Sequence, residues 1–179
     1  MMKTRITTKQ MIQIALVAAI YAAFTGLFMT ISFTPLQLRL SEIMVFLAYF
    51  NPLAVVGLTL GCFIANLLFS PTAVLDCIFG TLATLLSVGA ISYTAKIFKG
   101  SKKGIWIASI WPVLFNGVIV GGMLYFAGFI PASEYGALAT AVWTMTSVGV
   151  GEFLVVVAMG IPLTLLIRSK YKRVISQFL

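Results

Sequence analysis

The stretch TAVWTMTSVGVGEFLVVVAMGIPLTLLI, residues 140–167, carries a single charged side chain, Glu152. About 20 predominantly apolar residues are enough to cross a bilayer as a helix. Outward from this run the chain keeps the same character. It is 61% hydrophobic and 9% charged, whereas an ordinary globular domain is about 45 to 50% apolar and about 25% charged. That composition cannot cover a soluble surface, so the chain is predicted to be an all-α membrane protein. Its 179 residues read as one transmembrane domain, 1–179. Six spans nearly exhaust that length. No room is left for a nucleotide-binding or catalytic domain, and no G-x-x-x-x-G-K-[ST] loop occurs.

The charges orient the spans. Lys3, Arg5 and Lys9 precede the first apolar run; Lys96, Lys99, Lys102 and Lys103 form a central cluster; Arg168, Lys170, Lys172 and Arg173 follow the last run. The positive-inside rule puts all three clusters, and with them both termini, in the cytoplasm. An even number of crossings must then separate consecutive clusters, which predicts four and then two. The predicted spans are 10–32, 40–50, 53–70, 75–97, 105–130 and 140–167. The second is too short to cross alone. Asn51-Pro52 marks an inner turn and Ser70-Pro71-Thr72 an outer one. The longer connections, 31–40 and 131–138, fall outside. The basic and then apolar N-terminus resembles a signal peptide, but its long run and missing cleavage site read as a retained first helix.

Other chemistries are poorly supported. The net charge of +8 sits in short clusters beside apolar runs, which fits membrane orientation better than nucleic-acid binding. Without histidine, and with Cys62 and Cys77 lacking C-x-x-C spacing, neither a metal site nor a His-dependent triad is expected, and no cofactor. Both cysteines read as small buried residues.

The four acids lie in the predicted outer half or near mid-membrane: Glu42, Asp76, Glu134 and Glu152. Arg39 is the single outward base. Glu152 lies deepest, where a charge costs at least about 2.5 to 3.5 kcal/mol, and should face a partner or a wet cavity. An outward pocket is therefore predicted from Glu152, Glu42, Asp76 and Arg39, with the amides Asn66 and Asn116, and with Trp111, Tyr125 and Trp143 available for stacking. Such a pocket suits a ligand rich in N–H donors or carrying an amine. Each residue has a plainer alternative. Arg39 and Glu42 are spaced to pair across one turn, Asp76 to cap a helix, the two asparagines to bond between helices, and the tryptophans, Trp106 above all, to anchor at the interface. Glu134 reads as a solvated loop charge.

Small residues at four-residue spacing recur at Ala15, Ala19 and Ala23, at Gly57, Gly61 and Ala65, and at Gly117 and Gly121. They let helices approach closely, within the bundle or with another subunit.

Three segments carry a family resemblance: PLQLRLSE from Pro35 to Glu42, GCFIANL from Gly61 to Leu67, and LDCIFGTLATLL from Leu75 to Leu86. With Gly149-Val-Gly151-Glu152 and Ile161-Pro162-Leu163, they resemble the QueT family of membrane-embedded substrate-binding (S) components of energy-coupling factor (ECF) transporters. The resemblance implies a six-helix receptor, not an enzyme, that takes up a queuosine precursor, a 7-deazaguanine such as preQ1 or preQ0, at the cell membrane. It also implies partners, namely a transmembrane coupling protein and two ATP-binding subunits, with Ala15, Ala19 and Ala23 as the docking stripe. Two other readings compete with it: a stand-alone carrier with Glu152 as proton relay, and a small intramembrane enzyme, for which no nucleophile and base pair is visible.

Overall fold

The computed structural model describes residues 6–129 and 136–170, and among them every regular element is helical. In chain order the helices are α1 (Thr8–Leu27), α2 (Leu40–Phe50), α3 (Ala54–Phe69), α4 (Ala73–Ile97), α5 (Lys102–Phe126) and α6 (Ala137–Lys170). Of these, α1, α4, α5 and α6 are long and apolar enough to cross a membrane, while α2 and α3 are shorter. The predicted runs fall closely on these elements, with one division: the run at 10–32 breaks at Phe28 and resumes as the short turn Met29–Ser32.

Local chemistry sets the ends. A capping box starts α1, in which Gln10 N–H donates to Thr7 Oγ1 at 3.3 Å and Thr7 N–H to Gln10 Oε1 at 2.9 Å. Asn51 Oδ1 accepts from Leu53 N–H at 2.9 Å and turns the chain into α3. After α4, Lys99 takes φ 45°, and Gly100 N–H reaches back to the Ala95 carbonyl at 2.9 Å, which satisfies the helix end before α5 begins. Helix α2 opens as a 3₁₀ helix over Leu40–Phe46 and finishes as an α-helix over Leu47–Phe50. The looser rise stretches its reach to about 20 Å, still short of the roughly 30 Å hydrocarbon core.

Packing is organised by small residues. A Cβ built on Gly61 would stand 2.8 Å from the Ala18 carbonyl oxygen and 2.8 Å from Tyr21 Cβ, so α1 and α3 touch along their backbones there. Gly57 does the same against Ile14 and Val17. On the other side of the bundle, Gly117 and Gly121 receive α6 at Gly149 and Met145. The glycine stripes of α3 and α5 therefore serve contacts inside the bundle, and Ala18 and Ala22 are buried with them. Ala15, Ala19 and Ala23 are exposed on α1.

The connection at 33–39, predicted as an outer loop, folds onto the helices instead. Gln37 and Arg39 are buried, Ser147 of α6 donates to the Pro35 carbonyl at 3.2 Å, and the Leu36 carbonyl lies where a Gly151 Cβ would be. The predicted connection at 131–138 falls largely outside the described residues, as do Glu134, Lys3, Arg5, Lys172 and Arg173.

Large apolar side chains crowd the outer surface, and a polar cluster is buried inside beside the apolar core. Leu16, Leu68, Val74 and Leu138 are all more than half exposed, while Glu42, Asp76 and Glu152 are buried. That arrangement is stable where lipid covers the surface.

Gly61→Leu is expected to pry α1 from α3 and lower the thermal unfolding midpoint of the purified protein, by about 1 to 3 kcal/mol of stability. Gly89→Ala, where an added Cβ meets nothing within 4 Å, should leave the midpoint unchanged or slightly raised. Equal midpoints for the two variants would contradict the α1–α3 contact.

Candidate functional site

Helices α1 to α6 and the 33–39 connection converge on a buried polar cluster. Arg39 closes the connection, and Glu42 lies on the first turn of α2. Cys62 and Asn66 lie on α3, Asp76 and Thr84 on α4, Asn116 on α5, and Glu152 near the middle of α6. All are at most 6% exposed. Arg39 is the hub, close enough to Glu42, Asp76 and Glu152 to interact electrostatically with each. It forms no direct ion pair with Glu42. Its Nη1 instead donates to Cys62 Sγ at 3.4 Å, and its guanidinium lies 5.1 Å from the centre of the Phe33 ring.

Irregular backbone positions three of these residues. In α4 a π-helical segment begins at Asp76, in α5 another begins at Asn116, and in α6 a third follows immediately after Glu152. Each wide turn inserts about one residue, which re-aims the flanking side chains by about 100° around the helix, and such bulges occur frequently at functional sites. Asn66 Nδ2 donates to the Asp76 carbonyl at 2.7 Å, tying α3 to the α4 bulge.

The polar groups share a half-held arrangement. Glu42 Oε1 accepts from the Tyr21 hydroxyl and from Thr84 Oγ1 at 3.4 Å, while Oε2 has no partner. Asp76 Oδ2 accepts from Ser70 at 2.5 Å and Thr72 at 2.6 Å, while Oδ1 has none. Asn66 is held through Nδ2 and leaves Oδ1 bare. Glu152 Oε1, Asn116 Nδ2, and Nε and Nη2 of Arg39 are also without partners, although Asn116 lies beside the Glu152 carboxylate. Buried polar atoms are nearly always hydrogen-bonded in native proteins. Here both acceptors and donors remain free, and on Glu42, Asp76, Asn66 and Arg39 the free atoms belong to side chains held through another atom.

The structure thus gathers Arg39, Glu42, Asn66, Asp76, Asn116 and Glu152. It does not bring the three aromatic candidates to them. The Trp111 indole N–H donates to Thr94 Oγ1 at 2.9 Å and its ring stacks on Phe115. Tyr125 packs edge-on against Phe126. Trp143 is 67% exposed and lines a shallow outer groove with Leu138 and Val142. Trp106, also read as an anchor, is 55% exposed. Asp76 does not cap its helix, because Thr72 occupies the N-cap position. Residues that sequence reasoning did not bring to the cluster are Tyr21 and Thr84, together with Cys62, which the sequence marked only as a small buried residue. Tyr21 left one legible signal, a phenol inside an apolar run, which needs a partner for its hydroxyl.

Comparison with known proteins places the chain. A family model described as the QueT transporter matches residues 11–169, which include every residue of the cluster. The queuosine precursor transporter QueT of Lactococcus lactis subsp. cremoris (strain MG1363) is 43% identical over 91 residues, covering 48% of this chain and 52% of that relative. The match therefore spans about half the length of the curated relative. No solved structure matches the chain. With a family match over most of its length and four helices fit to cross a bilayer, the chain belongs to the QueT transporter family of membrane proteins.

Proposed function

We propose that this protein is the substrate-binding membrane subunit of an ECF-type importer and takes up a queuosine precursor, a 7-deazaguanine such as preQ1 or preQ0. The observation that carries the reading is the half-held polar cluster, with four free acceptor oxygens and three free donor nitrogens. A guanine-type edge offers N1–H and amino donors to carboxylates and a carbonyl oxygen to Arg39 or Asn116. The 7-aminomethyl cation of preQ1 adds a charge-assisted donor for a cluster in which three acids face one base. The Lactococcus relative is a queuosine precursor transporter, which supports the same substrate class.

In this reading the basic clusters lie in the cytoplasm and six crossings bring both termini there, with α2 and α3 completing the span inside the bundle. The cluster, buried in this structure, then serves a ligand arriving from the outer side of the plasma membrane. Energy comes from partners, a transmembrane coupling protein and two ATP-binding subunits, because the chain carries no phosphate-binding loop. Ala15, Ala19 and Ala23 form the docking stripe on α1. Their exposure supports this role, since the internal contacts of α1 run through Ala18, Tyr21 and Ala22.

The central test is a binding screen of the purified protein across preQ1, preQ0, other deazaguanines and vitamins. Affinity for preQ1 or preQ0 is expected; affinity for a vitamin alone would refute the substrate. Glu152→Gln should weaken binding at least about tenfold, or about 1.4 kcal/mol, while Glu134→Gln should leave it unchanged. Equal affinities would remove Glu152 from the site.

Ala19→Leu should reduce co-purification with the coupling protein while binding of the small molecule is retained. Unchanged co-purification would leave the stripe with no docking role.

A further inference from the structure

We infer that Tyr21 is a positioning residue, whose hydroxyl, reaching in from α1, holds the Glu42 carboxylate so that Glu42 Oε2 is presented to the ligand. This rests on the reading of the buried cluster as a substrate site.

The geometry is specific to that role. Tyr21 is fully buried, and its hydroxyl donates to Glu42 Oε1. Thr84 Oγ1 lies 3.4 Å from the same oxygen, but its single proton is shared with the nearer Cys62 Sγ at 3.2 Å, so Tyr21 is the firm anchor. Both contacts fall on one carboxylate oxygen, and the other has no partner. A carboxylate held through one oxygen leaves its second oxygen ready for a donor from outside the protein. One turn further along α1, Thr25 Oγ1 lies 2.6 Å from Ser41 Oγ, so the residue next to Glu42 is braced by the same helix.

The tyrosine ring is itself fixed. It belongs to the main apolar core with Val45, Phe46 and Leu58, and its Cβ occupies the space that a side chain on Gly61 would need. A rigid aromatic arm with two torsions places its hydroxyl with little loss of side-chain entropy. Simple satisfaction of a core phenol does not require a carboxylate, since Tyr49 donates to the Ser101 carbonyl at 2.8 Å. Tying Tyr21 to Glu42 makes the orientation of one site group depend on the seating of α1, the helix whose opposite face carries the exposed alanines.

The test is a double-mutant cycle on the full-length protein in nanodiscs, with preQ1 as the probe. Tyr21→Phe should weaken preQ1 binding about tenfold, the scale of a hydrogen bond to a charged group. In a Glu42→Gln background the same change should cost less than about twofold, because the group being positioned is altered. Wild-type affinity for Tyr21→Phe, or an equal loss in both backgrounds, would overturn the inference.

Incorporating 3-fluorotyrosine at position 21 keeps the ring and hydroxyl and gives a fluorine resonance that can be read without ligand. That resonance should shift with Glu42→Gln and stay in place with Glu134→Gln. If wild-type protein bound no deazaguanine, the proposed substrate would fall, while a shift would still support the Tyr21 contact. A resonance unmoved by Glu42→Gln would overturn the inference whether or not preQ1 binds.

Discussion

A guanidinium in the interior of an apolar bundle must be compensated, and the structure turns on how Arg39 is accommodated. Its desolvation is offset by carboxylates on three separate helices, α2, α4 and α6, none of which clamps it in a direct pair. A tight Arg39–Glu42 pair would have consumed both charges and left a structural bridge. The arrangement observed spreads the field of one cation over three acids and leaves hydrogen-bonding atoms of both signs uncommitted. A core network whose members satisfy one another would leave no such loose ends, and they are what supports the proposed recognition role.

The backbone departs from regular helix where this cluster is built. The 3₁₀ opening of α2 carries Glu42, and the three π segments begin at or beside Asp76, Asn116 and Glu152. Each departure costs some backbone hydrogen bonding, and in lipid such losses have to be repaired locally. Asn66 adds a side-chain donor to the Asp76 carbonyl, which also accepts from the Thr81 N–H. The folded-in connection at 33–39 is tolerated for the same reason: it lies against α6 at Gly151 and Ser147, sheltered by protein.

Helix α1 has two faces, one packed and one exposed. Gly57 and Gly61 of α3 draw its inner face close enough for Tyr21 and Thr25 to reach Glu42 and Ser41. Its outer face carries small side chains at regular spacing with no partner inside the bundle. Close helix contact in membranes comes from small residues, so sequence spacing alone could not assign each stripe to an internal or an external neighbour. The fold separates them.

The sequence by itself determined the class of the protein. A long apolar run interrupted only by Glu152 is incompatible with a soluble surface, and scarce charges in a chain this apolar are expensive enough to mark where polar chemistry concentrates. That physics made Arg39, Glu42, Asp76 and Glu152 legible as candidates, and the motifs around them carried the family. What only the tertiary structure decided was which candidates meet and which of their atoms are free. Trp111, Tyr125 and Trp143 looked as eligible as Asn66 or Asn116, but their rings pack elsewhere. Tyr21 and Thr84 were not singled out by spacing or charge, and the lone phenol in an apolar run signalled only that Tyr21 needs a partner. The reason is geometric: side-chain direction depends on helix register, one inserted residue in a π turn rotates it by about 100°, and apolar runs that are hydrophobic on every face carry no periodic mark of which side turns inward.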